Sequence, residues 1–76
     1  MSYGYSARLI RYNKAAADSP GVRLGAICIA KDVSVASAAK HFGVSRQTIY
    51  NWFRGDYPPR NTYLDAIDAY CETLSA

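Results

Sequence analysis

Apolar residues recur every three or four positions through most of the chain, and no stretch alternates apolar and polar side chains in the manner of a strand. The spacing predicts a helix over residues 6–17 and a second over residues 20–31, which is apolar almost all round. Two shorter helices are predicted within residues 34–55, and a closing helix follows to residue 74 with Thr62 as its N-cap. The predicted fold class is an all-α bundle of about five short helices in a single domain, residues 1–76.

One apolar stripe from each helix is expected to build the core. In the first helix the stripe consists of Leu9, Tyr12 and Ala16. In the fourth helix, Trp52 is expected between the two helices of residues 34–55, and Phe53 toward the closing helix. A chain of this length buries a small core, so each of these positions matters for stability.

A tight turn divides residues 34–55 into two helices. Gly43 suits the left-handed conformation that ends the first of them, because it has no Cβ. Ser34 and Ser45 each precede a helix, where a serine hydroxyl accepts a hydrogen bond from an unpaired backbone N–H. The outward side of the second helix carries two arginines and no acid, in a polar set formed by Arg46, Gln47, Thr48, Tyr50, Asn51 and Arg54.

This arrangement resembles the helix-turn-helix of phage and bacterial repressors of the Cro/C1 (XRE-like) family, over about residues 22–74. The matching features are Ala39 where the two helices cross, a glycine in the turn, apolar residues after it, and a GDYPP segment before the closing helix. The family often has Gln at the start of the first motif helix. This chain has Val35 there, so no phosphate contact is expected from that position. The resemblance implies a lambda-repressor-like fold that binds double-stranded DNA, with the recognition helix of residues 45–54 in the major groove.

Base-edge chemistry and the resemblance together predict which side chains contact DNA. Arg46 matches guanine O6 and N7, and Gln47 matches adenine N6 and N7. Asn51 lies one helical turn beyond Gln47 and is the third predicted base contact. Phosphate contacts are expected from residues that border this face and from nearby cations, namely Ser45, Thr48, Tyr50, Arg54, Lys40 and Arg60.

Charge is distributed unevenly along the chain. Residues 1–14 and residues 35–60 each carry a net charge of +3, residues 15–34 carry none, and residues 61–76 carry −3. A polyanion is therefore expected to approach the N-terminal arm and the helix-turn-helix. Two interpretations of residues 1–19 stay open: a packing helix with solvated basic side chains, or a basic arm that lies on phosphates. Residues 20–76 form the predicted core with its closing helix.

The composition argues against several other classes of protein. Cys28 and Cys71 have no metal-binding spacing and one histidine accompanies them, so neither a metal site nor a disulfide is expected. The sequence offers no paired nucleophile and base and no phosphate-binding loop. We therefore expect no enzyme, no catalytic residues, no cofactor and no small-molecule substrate. No apolar run is long enough to span a membrane and no secretory signal is recognised, so the expected location is the cytoplasm or nucleoid of a bacterial host cell.

The expected role is that of a repressor-like regulator of transcription, with the phage or bacterial origin that the resemblance implies. Family members commonly act as homodimers on palindromic sites, and a homodimer is expected here too. Its interface is expected on the closing helix or on a second apolar face of the helix over residues 20–31. The alternatives are an excisionase-like or terminase-small-subunit-like DNA-binding protein, or a protein-interaction module that kept the fold without DNA binding.

Overall fold

The computed structural model describes residues 5–75, which form five helices and no strand within that range. In chain order, α1 spans Ala7–Ala15, α2 Pro20–Ala30, α3 Val35–Phe42, α4 Arg46–Arg54 and α5 Asn61–Ser75. The predicted all-α fold is confirmed. Residues 1–4 and residue 76 of the predicted single domain lie outside the described residues.

Serine side chains begin the first four helices. At each start a hydroxyl oxygen accepts a hydrogen bond from the N–H three residues further on, at 3.0–3.2 Å, and the four serines are Ser6, Ser19, Ser34 and Ser45. Each bond satisfies one of the N–H groups that a helix start leaves unpaired. Gly43 ends α3 with a left-handed φ of +68°. The predicted boundaries of the motif helices are therefore confirmed at both Gly43 and Ser45.

The prediction that Thr62 caps the closing helix is wrong, because α5 already begins at Asn61. The N–H of Tyr63 donates to the carbonyl of Arg60, three residues earlier, at 2.9 Å, and this bond forms the first turn of α5. Pro59 is buried beside Gly21 and fixes the path by which the chain enters this turn. Thr62 consequently lies inside the first turn of α5.

The core lies around α2, which packs against α1, α4 and α5. The largest fully buried side chains come from three helices and are Phe53, Leu24, Ile49, Ile67 and Cys28. Trp52 is 4% exposed and meets Phe42 edge-on, with ring centroids 5.7 Å apart, so its predicted place between the motif helices is confirmed. Phe53 is fully buried in the same cluster as Ile67 of α5, and its ring also lies close to that of Tyr5 before α1, with centroids 6.2 Å apart.

The inward face of α1 differs from the predicted stripe. Tyr12 is 50% exposed, whereas Asn13 is 4% exposed. The Asn13 Nδ2 group donates to the carbonyl oxygen of Val22 at 3.1 Å and to that of Phe53 at 2.8 Å. Buried carbonyl groups need donors, so a polar side chain occupies the position nearest α2 and α4, and the tyrosine beside it faces solvent. α1 thereby covers part of α2, the helix whose second apolar face was one of the two expected dimer interfaces.

Candidate nucleic-acid interface

α4 buries one side and presents the other to solvent. The buried side consists of Ile49, Trp52 and Phe53, each at most 4% exposed. Arg46 and Gln47 are exposed, and Asn51 and Arg54 are half-buried. Because an α-helix has about 3.6 residues per turn, Gln47, Asn51 and Arg54 follow one another along the solvent side of α4. We call these three residues the outer row.

Hydrogen bonds join the members of the outer row. Gln47 Nε2 donates to Asn51 Oδ1 at 3.0 Å, and Arg54 Nη2 donates to the same oxygen at 3.2 Å. Within residues 5–75, the Asn51 amide nitrogen and the Gln47 carbonyl oxygen have no such bond. The row therefore holds both amide groups in a fixed orientation and leaves one donor group and one acceptor group for a further partner.

The Arg54 nitrogen that bonds to Asn51 also pairs with an acid. This Nη2 atom lies 3.0 Å from Oδ2 of Asp56, in a pair whose side chains are 34% and 50% exposed. Asp56 is the one acid between residues 35 and 60. Arg54 Nε is buried, and it has no hydrogen-bond partner among the described residues. The arginine is thus held against the end of α4 with its charge partly offset.

Arg46 does not belong to the outer row. It lies about a quarter turn from Gln47 around the helix, on the same edge as Tyr50 one turn later. Its side chain is exposed, and it forms no ion pair with a residue in the described part of the chain. The three predicted base contacts therefore divide into a hydrogen-bonded pair, Gln47 and Asn51, and a separate arginine at the N-terminal end of α4.

A groove runs along one flank of α4, between the helix and the segment that leads into α5. It has a volume of about 410 Å³. Its polar lining includes Thr48, Asn51, Tyr57 and Arg60. We call it the α4–loop groove. The Thr48 hydroxyl lies 3.0 Å from that of Ser45, so two predicted phosphate contacts occur side by side at the start of α4.

A second groove runs along the opposite flank, between α4 and α1. It has a volume of about 310 Å³. It is lined by Ser6, Arg8, Leu9, Tyr12, Gln47, Tyr50 and Arg54. We call it the α1–α4 groove. Tyr50, which is 37% exposed, lies here. Lys40, the remaining predicted phosphate contact, is exposed on α3 and lines neither groove.

The sequence interpretation left open whether residues 1–19 contact DNA and named no individual residue of α1 as a contact. Arg8 and Tyr12 are four residues apart and so share a side of α1. That side faces α4, because both residues line the α1–α4 groove. One feature of the sequence could have pointed to these residues: residues 1–14 carry three basic residues and no acid.

Groups that could support other chemistry are few in the described structure. Cys28 and Cys71 are both free, and burial raises the pKa of the Cys28 thiol to about 12 and also raises that of Cys71. Across residues 5–75, no three His, Cys, Asp or Glu side chains cluster closely enough to hold a metal ion. In the same part of the chain, no helix combines the length and apolarity needed to cross a membrane.

Comparison with known families agrees with this geometry. Residues 26–55 match the family model described as a helix-turn-helix domain, which takes in the end of α2 and all of α3 and α4. The matched segment holds the turn at Gly43 and the whole outer row. No curated protein and no solved structure gave a significant match to the chain. The match and the fold together support a protein of the helix-turn-helix DNA-binding class.

Proposed function

We propose that this protein binds double-stranded DNA in a sequence-dependent manner and regulates transcription, as the resemblance of residues 22–74 to Cro/C1-type repressors implies. In this proposal α4 enters the major groove, which is wide enough to admit a helix. The observation that carries the proposal is the outer row, a hydrogen-bonded line of polar side chains opposite the buried side of α4. The protein acts by binding and not by catalysis, in the bacterial cytoplasm or nucleoid.

Base contacts are assigned by hydrogen-bonding capacity. An asparagine amide offers the donor and the acceptor that adenine N7 and N6 require. Asn51 uses its amide nitrogen as the donor, and on binding its Oδ1 exchanges the bonds from Gln47 and Arg54 for one from adenine N6. Gln47 has the same capacity one turn earlier, and its bond to Asn51 orients both groups. Arg46 sits at the N-terminal end of α4, the part that enters the groove first, and its guanidinium matches guanine O6 and N7.

Phosphate contacts are assigned to side chains around the rim of this face. Ser45 and Thr48 lie beside the first backbone N–H groups of α4, where an anion is favoured. Arg60 approaches from the α4–loop groove, and Tyr50 from the other flank. Lys40 on α3 and Arg54 at the end of α4 complete the set. Such contacts position the protein on the duplex without selecting a sequence.

The proposed assembly on DNA is a homodimer. A single recognition helix of nine residues touches few base pairs, so one domain discriminates weakly between sites. Two copies related by a two-fold axis read two half-sites about 34 Å apart. α5 is the proposed interface, because Tyr63, Cys71 and Leu74 are only half-buried along it.

Selection of bound sequences from random duplexes tests this proposal. The expected result is one enriched motif with two half-sites in inverted orientation, about 10 base pairs apart from centre to centre. In Arg46→Ala the preference at one base pair of each half-site disappears, at a cost of about 1–3 kcal/mol in binding. Arg23→Ala is the matched control, since Arg23 is an exposed arginine that pairs with Asp18 on another face.

Three other outcomes distinguish the alternatives. Enrichment of a motif without inverted symmetry contradicts the repressor-type dimer and favours an excisionase-like or terminase-like DNA-binding protein. Duplex binding with no enriched motif contradicts base recognition by α4. No duplex binding at low salt contradicts the whole proposal and favours a protein-interaction module.

A further inference from the structure

α1 is an integral part of the surface around α4. Asn13 bonds to the carbonyl of Phe53 at 2.8 Å, so α1 is fixed beside the last turn of α4. Tyr5 packs its ring on Phe53 and donates its hydroxyl to the carbonyl of Val33, which holds the start of α1 in place. Anything that approaches the outer row from this flank therefore meets the exposed side of α1.

The groove between the two helices is basic. Two arginines, Arg8 and Arg54, contribute to its lining, and no acid does. Arg54 is paired with Asp56, but Arg8 forms no ion pair with any residue from 5 to 75. Tyr12 and Tyr50 place exposed phenol rings on opposite walls of the groove. Arginine and tyrosine hydroxyl groups are typical donors to phosphate oxygens.

We propose that the α1–α4 groove binds the sugar-phosphate backbone of one DNA strand, with Arg8 and the Tyr12 hydroxyl as phosphate contacts. This inference rests on the proposed DNA binding by α4 and extends the interface to a helix outside the matched helix-turn-helix segment. Tyr50 lies on the facing wall, so the strand is held between α1 and α4.

The opposite flank of α4 carries a comparable set of side chains, which supports the binding of one DNA strand on each side of this helix. Thr48 and Tyr50 are two positions apart in the helix and so face opposite flanks. Thr48 lines the α4–loop groove together with Tyr57 and Arg60, whereas Tyr50 lines the α1–α4 groove. A helix in the major groove has a phosphate backbone on either side, about 12 Å apart. Each flank of α4 thus offers an arginine and a tyrosine to one backbone.

α1 also provides an internal control for this assignment. Lys14 carries the same charge as Arg8 but lines a different hollow, toward Ala26 and Ile29 of α2. It faces away from α4, although it belongs to the same helix. A general attraction between a basic helix and DNA would involve both residues, whereas a backbone seated in the α1–α4 groove involves Arg8 alone.

Duplex binding measured by fluorescence anisotropy over 50–200 mM salt tests the inference with the full chain. Removal of one charged phosphate contact is expected to make the slope of log K against log [salt] shallower by about 0.9 for each bound subunit. Arg8→Ala should show this change. The ratio of the original protein's affinity to that of the variant should therefore fall about 3.5-fold per bound subunit between 50 and 200 mM salt. Tyr12→Phe should weaken binding with an unchanged slope, because it removes a hydroxyl and no charge. Lys14→Ala should keep the slope of the original protein.

The outcomes separate this inference from the proposed function. If the unaltered chain binds no duplex, the proposed function fails. If it binds with a steep slope while Arg8→Ala and Tyr12→Phe bind equally well, DNA binding stands and the groove has another occupant, such as an acidic protein segment. An equal change of slope in Arg8→Ala and Lys14→Ala contradicts a specific site in the groove. Thermal unfolding of each variant checks that these exposed substitutions leave the fold intact.

Discussion

The side-chain nitrogen of Asn13 lies 2.8 Å from the carbonyl oxygen of Phe53, and this hydrogen bond joins α1 to the last turn of α4. A second bond from the same nitrogen reaches the carbonyl of Val22 at 3.1 Å. One amide group therefore links three helices in the interior. The position of α1 beside the outer row of α4 depends on this buried polar contact as well as on apolar packing.

Replacement of Asn13 by alanine is expected to destabilise the protein by about 2 kcal/mol, because the carbonyl of Phe53, in the last turn of α4, is left in a buried place without its side-chain donor. Urea unfolding followed by circular dichroism measures the change. Lys14→Ala, one position along but exposed, should stay within about 0.5 kcal/mol of the original protein. A loss of similar size in both variants would contradict a structural role specific to Asn13.

Gly25 is expected to be intolerant of a side chain. A Cβ at this position would lie 2.6 Å from Asn13 Nδ2 and 2.9 Å from Phe53 Cγ, so Gly25→Ala should cost about 1–3 kcal/mol through overpacking. Part of this clash is with Asn13 itself. The double variant with Asn13→Ala should therefore lose less stability than the sum of the two single changes.

Gly43→Ala is the matched comparison for Gly25→Ala. Nothing lies within 4 Å of a Cβ at Gly43, and its cost comes from the φ of +68°, about 1–2 kcal/mol. This cost is a property of the backbone, so it should add to that of Asn13→Ala without coupling. Coupling between Gly43→Ala and Asn13→Ala would show that the comparison does not isolate the clash.

Removal of the negative charge at Asp56 is expected to tighten duplex binding. Asp56→Asn frees Arg54 from its 3.0 Å ion pair, so Arg54 no longer has to leave a carboxylate in order to contact its phosphate, and the affinity should rise. Asp18→Asn removes an equal charge from the Asp18–Arg23 pair on another face and should leave the affinity unchanged. Unchanged or weaker binding by Asp56→Asn would show that Arg54 makes no phosphate contact.

Stability is expected to fall as the pH rises above about 9. Burial raises the pKa of the Cys28 thiol from 9.0 to about 12 in the folded protein and raises the pKa of Tyr5 as well. The unfolded chain therefore releases these protons at lower pH than the folded chain, so stability is full below about pH 9 and declines up to about pH 12. Cys28→Ala should show a shallower decline in urea midpoint between pH 7 and pH 10.5. An identical decline in the variant would exclude Cys28 as a cause.

The helix-turn-helix was predictable because its signals are local. A serine cap acts on a backbone N–H three residues away, and a glycine ends a helix through its own φ angle, so Ser34, Gly43 and Ser45 set the ends of the two motif helices locally. The alternation of buried and exposed positions in α4 follows from helical periodicity in the same way. The predicted ends of the motif helices and the predicted outward side of α4 were therefore correct for each helix taken separately.

The placement of α1 was not predictable on the same basis. Apolar periodicity placed Tyr12 in the core. In the structure Asn13 is buried instead, because its amide nitrogen donates to carbonyl oxygens of α2 and α4. Such a requirement arises only once three helices have packed together. The contact of Phe53 with Gly25 of α2 was not predicted either, because it too depends on how the helices pack. The α1–α4 groove depends on both placements, so the sequence alone did not reveal it.

Titration of a labelled duplex at several salt concentrations tests the central claim most directly. The account predicts binding at 50 mM salt, with log K falling against log [salt] at a slope of about −4 for each subunit, as about four neutralised phosphates require. The side chains that would supply these contacts are Arg8, Lys40, Arg54 and Arg60. Absence of binding at 50 mM salt, or an affinity that does not change with salt, would contradict it.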